Sequence, residues 1–239
     1  GELYVEAARK VIQIQKDLYH NIRGLNHKGH ITIGVTSQFG LRMLTEIIPA
    51  YKKVFPQVTI EITESNVPTL TRMILEEGID CAVMALNCAD AFAEEQVSLL
   101  RKEEVLFAVP AAHGYCLRNR TGIMTREELI HEFKDENFML SKKGSTLREL
   151  ADRIFASDGF QPSTMCETNS IIATRAMVAK GIGVTFIARS CVSDRENVAY
   201  YSLDPRMYRY NALVRRKNLI QNEPERALFQ YICGYFERQ

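Results

Sequence analysis

The sequence predicts an α/β protein built as two similar halves. Three observations carry this reading. Residues 29–85 run strand, helix, strand, helix, strand; residues from about 125 to 188 repeat the same logic; and polar residues fall at the ends of strands in both halves. Alternating strands and helices build open parallel sheets, and small ligands bind such sheets outside the carboxyl ends of the strands.

A helical pattern comes first. Tyr4, Ala7, Val11, Ile14, Leu18, Asn21 and Leu25 alternate spacings of three and four, the seam of a coiled coil. Three heptads are short for a free-standing coiled coil, so this helix is expected to pair with a copy of itself or to pack on a partner element. Asn21 fits a register-setting polar residue or a frayed end before Gly24, and residues 24–29 read as a linker.

Ile31 to Val35 alternates as a strand and ends at the polar turn Thr36-Ser37-Gln38. Leu41, Leu44, Ile47, Ile48 and Tyr51 recur at helical spacing up to Phe55, and Pro56 stops that helix. Val58, Ile60 and Ile62 alternate as a second strand, followed by Glu64-Ser65-Asn66 and a helix from Thr69 to Glu77 that stops at Gly78. Cys81 to Ala85 is continuously apolar, as a strand buried on both faces requires. Val97–Val109 is strand-rich, and the chain is expected to cross between halves near 109 and again near 207.

In the second half, Thr125-Arg126-Glu127-Glu128 is a capping-box signature for a helix to Glu132. Phe138 to Leu140 reads as a strand, Lys143 to Thr146 as a polar turn and Leu147–Ser157 as a helix. Met165-Cys166 is a short strand, Thr168-Asn169-Ser170 caps a helix Ile171–Ala179, and Gly181 to Val184 leads into a strand Thr185–Ile187. Tyr210–Val214 returns as a strand before a helix from about Pro224 to Phe236.

Composition narrows the function. The 239 residues are 46% hydrophobic and 25% charged with a formal net charge of +1, the balance of an ordinary soluble globular protein. No basic field advertises nucleic acid, no run approaches the roughly 20 apolar residues of a membrane helix, and the N-terminus lacks a secretory apolar core. Cys81, Cys88, Cys116, Cys166, Cys191 and Cys233 form no CxxC pair and no zinc spacing, so they read as reduced, mostly buried thiols in a cytosolic protein.

No catalytic pattern of nucleophile, metal-binding helix or phosphate loop is present. Gly181-Ile182-Gly183 imitates a dinucleotide fingerprint but precedes its strand instead of following one. The histidines have no nucleophile beside them. Neither a cofactor nor a metal is expected, and the chain is read as no enzyme. What the pattern does offer is two helix starts at matching positions: Thr36, Ser37 and Gln38 before the first core helix, and Ser145 and Thr146 before Leu147–Ser157. Such ends present backbone N–H groups that favour anions, carboxylates in particular, while the same hydroxyls serve any helix as N-caps.

Three stretches taken together resemble the effector-binding domain of LysR-type transcriptional regulators: GHITIGVTSQFGLRMLTEIIPAYKKVFPQVTIEI, LEEGIDCAVM, and VAKGIGVTFIARS with its glycine pair between helix and strand. The resemblance covers about residues 3–238. It implies two Rossmann-like subdomains joined by two crossover strands, in the periplasmic-binding-protein-like type 2 arrangement, preceded by a linker helix. The implied boundaries are 1–28 for linker helix and hinge, 29–109 plus 207–239 for subdomain I, and 110–206 for subdomain II. The family's winged helix-turn-helix is absent from these residues, so promoter DNA would be met only through that separate module. The family pocket positions fall on Thr36, Ser37, Gln38, Asn66, Val67, Ser145, Thr146, Thr168 and Asn169. Peroxide-sensing members carry a reactive cysteine where this chain has Thr146, so their redox mechanism is not implied. Arg42 and Arg148 are the candidates for an arginine aimed at a ligand, and both also fit solvated helix charges.

The expectation is therefore a cytoplasmic sensor that closes on a small, anionic organic effector in a cleft between its subdomains and acts through a dimer or tetramer, with no membrane partner. The alternative is a solute-binding protein of a transport system, which has no need of the N-terminal seam helix. A third reading, an enzyme of this fold, requires an acid/base pair that the sequence does not supply.

Overall fold

The computed structural model describes residues 1, 3–5, 7, 8, 11, 12, 14, 15, 18, 29–36, 38–88, 91–157, 159–217, 219 and 221–238, and the Gln38 side chain is outside this set. The described residues between 3 and 18 are helical. Tyr4, Val11, Ile14 and Leu18 are 79%, 64%, 69% and 56% exposed, so the expected seam lies uncovered in the single chain. Asn21 and Leu25 lie outside the described residues.

From residue 30 the elements follow in order: β1 (His30–Val35), α1 (Gln38–Val54), β2 (Thr59–Glu64), α2 (Val67–Leu75), β3 (Cys81–Leu86), β4 (Val97–Pro110), α3 (Gly114–Arg118), β5 (Ile123–Thr125) and α4 (Arg126–Phe133). Then come β6 (Asn137–Leu140), α5 (Thr146–Ser157), β7 (Ser163–Glu167), α6 (Ile171–Ala179), β8 (Thr185–Ala188), β9 (Val198–Arg215) and α7 (Glu223–Glu237). The chain forms two compact units: the first holds Gly1–Met84, Asp90–Leu100 and Ala212–Gln239, the second Ala85–Ala89 and Arg101–Asn211.

In the first unit β1 lies between β2 and β3, parallel to both, with Val35 opposite Glu64 and Val83. β3 is buried along its whole length, as its unbroken apolar run requires. β2 is the edge, and Ile62 on it remains 41% exposed. Met43, Leu44, Ile47 and Tyr51 of α1 and Leu228, Ile232 and Tyr235 of α7 close one core with β1. Asn66 caps α2 through its side chain, which accepts from the Thr69 N–H at 2.9 Å. The stop after α2 differs from expectation: Glu77 takes the left-handed turn with φ 54°, and Gly78 closes it by donating to the Met73 carbonyl at 2.7 Å.

The second unit has an aromatic core in which Phe107, Phe133, Phe138, Phe155 and Phe186 meet edge-on or tilted. β8 pairs antiparallel with β4, and β5 pairs parallel with β9. β6 pairs parallel with β7 on one side and bridges Val184 on the other. The capping box of α4 forms as the sequence predicts, Thr125 and Glu128 satisfying each other's backbone N–H groups at 3.1 and 2.8 Å. β9 is far longer than the five-residue strand read from the sequence: it spans 18 residues, and alternating burial along Tyr201–Tyr210 is interrupted by the exposed Asp204, Pro205 and Arg206. Cys81 is the one fully buried thiol of the six, which departs from the mostly buried set expected. Burial pushes its pKa well up, Asp80 adding to the effect.

Candidate functional site

Each unit has a polar rim at the carboxyl ends of its parallel strands. In the first unit, β1 ends at Thr36, whose N–H donates to the Val83 carbonyl at 3.3 Å, and Ser65 donates its N–H to the Val35 carbonyl at 3.1 Å. These bonds bring Thr36 together with Ser65, Asn66 and Val67 at one sheet edge. Gly40, in the first turn of α1, lies so close to β1 that an added Cβ would stand 2.8 Å from the Val35 Cβ. The start of α1 is thereby pressed onto the strand end. Gln38 opens α1, while Ser37 and the Gln38 side chain lie outside the described residues. At α2 the Asn66 side chain already occupies the Thr69 N–H, and Pro68 has no N–H to offer, so few donors remain at that helix start.

The second unit's rim is better supplied. Thr168 donates its N–H to the Leu140 carbonyl at 3.0 Å, and the Lys142 N–H donates to the Asn169 side-chain oxygen at 3.0 Å. The loops after β6 and β7 are thus tied side by side, and α5 and α6 begin next to each other. Ser145 Oγ accepts from the Arg148 N–H at 3.2 Å, and the Ser145 carbonyl takes the Glu149 N–H at 3.1 Å. Ser170 Oγ accepts from the Ala173 N–H at 3.3 Å, and Thr168 Oγ1 from the Ser170 N–H at 3.1 Å. These caps leave the N–H groups of Thr146, Leu147, Ile171 and Ile172 without acceptors among the described residues. Two adjacent helix N-termini with open donors form an anion-attracting edge, since each carries partial positive charge.

Arg148 braces this rim. Its guanidinium donates to Asp152 at 2.8 Å, to Glu167 at 2.5 Å and to the Ser141 carbonyl at 3.2 Å, so it joins α5, the end of β7 and the loop after β6. Partial burial would lower its pKa, but the two carboxylates outweigh that and raise it. Its charge is matched within the protein, which makes it a structural tie and removes it as a free ligand-seeking arginine. Arg42 is exposed and lies 5.8 Å from the centroid of the Phe39 ring.

Residues 26–236 match the LysR substrate binding domain family. The chain belongs to this family. A probable RuBisCO transcriptional regulator of Trieres chinensis is 23% identical over 198 residues, 80% of this chain and 62% of that protein, so the chain spans less than two thirds of this relative's length. Among solved structures, the effector binding domain of QuiR in complex with shikimate is 19% identical with a TM-score of 0.68, covering 88% of this chain and 98% of that one. The Synechocystis PCC6803 CcmR regulatory domain in complex with 2-PG is 13% identical with a TM-score of 0.72, covering 88% and 98%. These likenesses give the fold: the type 2 periplasmic-binding-like arrangement of α/β subdomains.

In this LysR substrate-binding domain the rim also contains a residue that sequence reasoning missed. Asn87 follows β3 directly, and its side-chain amide donates to Glu149 at 2.7 Å and to the Thr146 carbonyl at 3.3 Å. Both partners are acceptors, so the amide nitrogen must face α5. The rule that singled out Thr36 and Asn66, a polar residue at a strand's carboxyl end, applies equally to Asn87. Thr146 itself is 6% exposed, and Ser145 and Thr168 are half-buried. Among the described residues no three His, Cys, Asp or Glu side chains gather as a metal site, and no helix is long and apolar enough to cross a membrane.

Proposed function

We propose that this chain is the effector-sensing part of a cytoplasmic DNA-binding regulator, and that its effector is a small organic anion held by polar residues at the strand ends. The observation that carries this is the pair of adjacent helix starts at Thr146 and Ile171, with their open backbone donors. In this reading Ser145, Thr146, Thr168 and Asn169 hold the anionic group, and Thr36, Ser37, Gln38, Asn66 and Val67 are further effector-binding residues. Ligand binding shifts the protein between arrangements that differ in affinity for it. The shift reaches promoter DNA through a reading module outside residues 1–239 and through self-association into a dimer or tetramer.

Membership of a family whose curated relatives are transcriptional regulators supports a regulatory role over transport. The uncovered apolar face on residues 4–18 supports self-association. The resemblance sets Thr146 at the position of the reactive cysteine of peroxide-sensing members, so we read sensing here as ligand binding.

Native mass spectrometry of protein purified from its host tests this reading. A co-purified anionic metabolite that rebinds the apo chain stoichiometrically is the expected result. A chain that binds no anion and remains monomeric at all concentrations overturns it.

A further inference from the structure

The first unit carries a concavity that none of the rim residues lines. It has a volume of about 260 Å³ and is lined by Glu95, Gln96, Arg215, Arg216, Lys217 and Gln221, with Leu219. Three consecutive cations at the end of β9 border it, and their charges are not equally compensated. Arg216 is 6% exposed and answers to Asp80 at 3.2 Å and Glu77 at 3.8 Å. Arg215 is half-buried and has no carboxylate within ion-pairing distance among the described residues. Its Nη2 donates only to uncharged acceptors, the Glu95 carbonyl at 2.9 Å and Ser98 Oγ at 3.3 Å. Its Nε is buried and without any acceptor. Lys217 is exposed beside it.

Buried guanidinium donors without partners are costly, because the lost hydration is not replaced. The Gln96 side chain is engaged elsewhere: its oxygen takes the Ala93 N–H at 3.2 Å, and its nitrogen donates to the Arg215 carbonyl at 2.9 Å. Glu95 is exposed and contributes one negative charge to the lining. With Arg216 matched by Asp80 and Glu77, the lining retains a net positive charge from Arg215 and Lys217. A planar guanidinium next to a flexible ammonium suits an oxyanion, the first by paired hydrogen bonds and the second as a point charge. The volume lies below the roughly 300–1,000 Å³ of pockets for drug-sized ligands, so the occupant is small.

We propose that this concavity is a binding site for a small oxyanion, a phosphoryl or carboxylate group, held by Arg215 and Lys217. It is a separate input from the effector rims and does not depend on their assignment.

Titration of the ¹⁵N-labelled chain with inorganic phosphate and, separately, with acetate tests this residue by residue. Saturable shifts of the Arg215, Lys217 and Gln221 amides are expected, weakened roughly tenfold or more by Arg215→Gln and by Lys217→Gln. Lys217 is exposed, so its variant keeps the test open if Arg215→Gln does not fold. A response to phosphate alone assigns the phosphoryl group, and a response to acetate alone assigns the carboxylate. Three outcomes overturn the proposal: no response to either anion into the tens of millimolar, shifts confined to the starts of α5 and α6, or shifts that persist unchanged in the Lys217 variant.

Discussion

Gly183 lies against the Asn137 backbone so closely that an added Cβ would stand 2.1 Å from the Asn137 carbonyl oxygen. That same oxygen accepts the Val184 N–H at 2.8 Å, and Val184 in turn accepts the Met139 N–H at 2.9 Å. The second glycine of the GIG motif is therefore a packing requirement where β6 meets the approach to β8. Gly183→Ala must force the backbones apart and is expected to cost about 3 kcal/mol or more. Urea unfolding measures this; an alanine variant within about 0.5 kcal/mol of the parent contradicts the close approach.

Glu103 is 3% exposed and meets Arg209, 5% exposed, at 2.9 Å. It also accepts from the Ser190 N–H at 3.0 Å and from the Asn211 amide at 3.2 Å. Burial alone would raise the Glu103 pKa, but the Arg209 charge and the Ser190 hydrogen bonds outweigh it, and the net shift is below the ordinary 4.5. With a depressed folded pKa, the stabilisation is complete above pH 4.5 and is lost as pH falls through the folded value. Glu103→Gln leaves Arg209 buried and unpaired, so a loss of about 3–5 kcal/mol at neutral pH is expected. The variant should also lose less stability than the parent on acidification below pH 4.5, read from denaturation midpoints across that range.

Arg148→Gln severs the tie between the loops after β6 and β7. Amide hydrogen exchange should quicken at residues 141–146 and 167–170 while the Phe107–Phe138 core keeps its protection. Uniform quickening across the second unit would mean that Arg148 supports the whole fold and has no special bearing on the rim.

Thr146→Ala and Asn169→Ala each remove a polar group proposed to face the effector. Affinity for the co-purified metabolite is expected to fall roughly tenfold, with apo stability little changed for Asn169→Ala. Titration calorimetry with unchanged affinity in both variants would remove these residues from the site.

Ile14→Asp with Leu18→Asp places two charges on the exposed apolar face of the N-terminal helix. Light scattering should then report a lower molar mass than for the parent at equal concentration. A mass that does not change assigns self-association to another surface.

Much of the fold was legible because hydrophobic periodicity is local. The all-buried β3, the amphipathic α1, the capping box at Thr125 and the cap at Ser170 each follow from residues within a few positions of one another. β9 was legible only at its end, since Asp204, Pro205 and Arg206 break the apolar alternation along it. The left-handed position at Glu77 was also hidden, because Gly78 beside it is the more permissive residue and drew the assignment. Asn87 went unnoticed as a site residue because one asparagine after a strand carries no signal until α5 is folded against it.

Residue order by itself determined the α/β class, the two repeated halves, and the placing of hydroxyl and amide residues at strand ends, since each depends on spacing along a few turns or strands. Tertiary structure alone decided which donors stay open. Arg148 became a tie once Glu167 and Asp152 came within reach, and Asn87 found Glu149 across 62 positions of sequence. The physical reason is that a charge or an amide is spent or spare according to its neighbours in space, and those are set by packing between elements far apart in the chain.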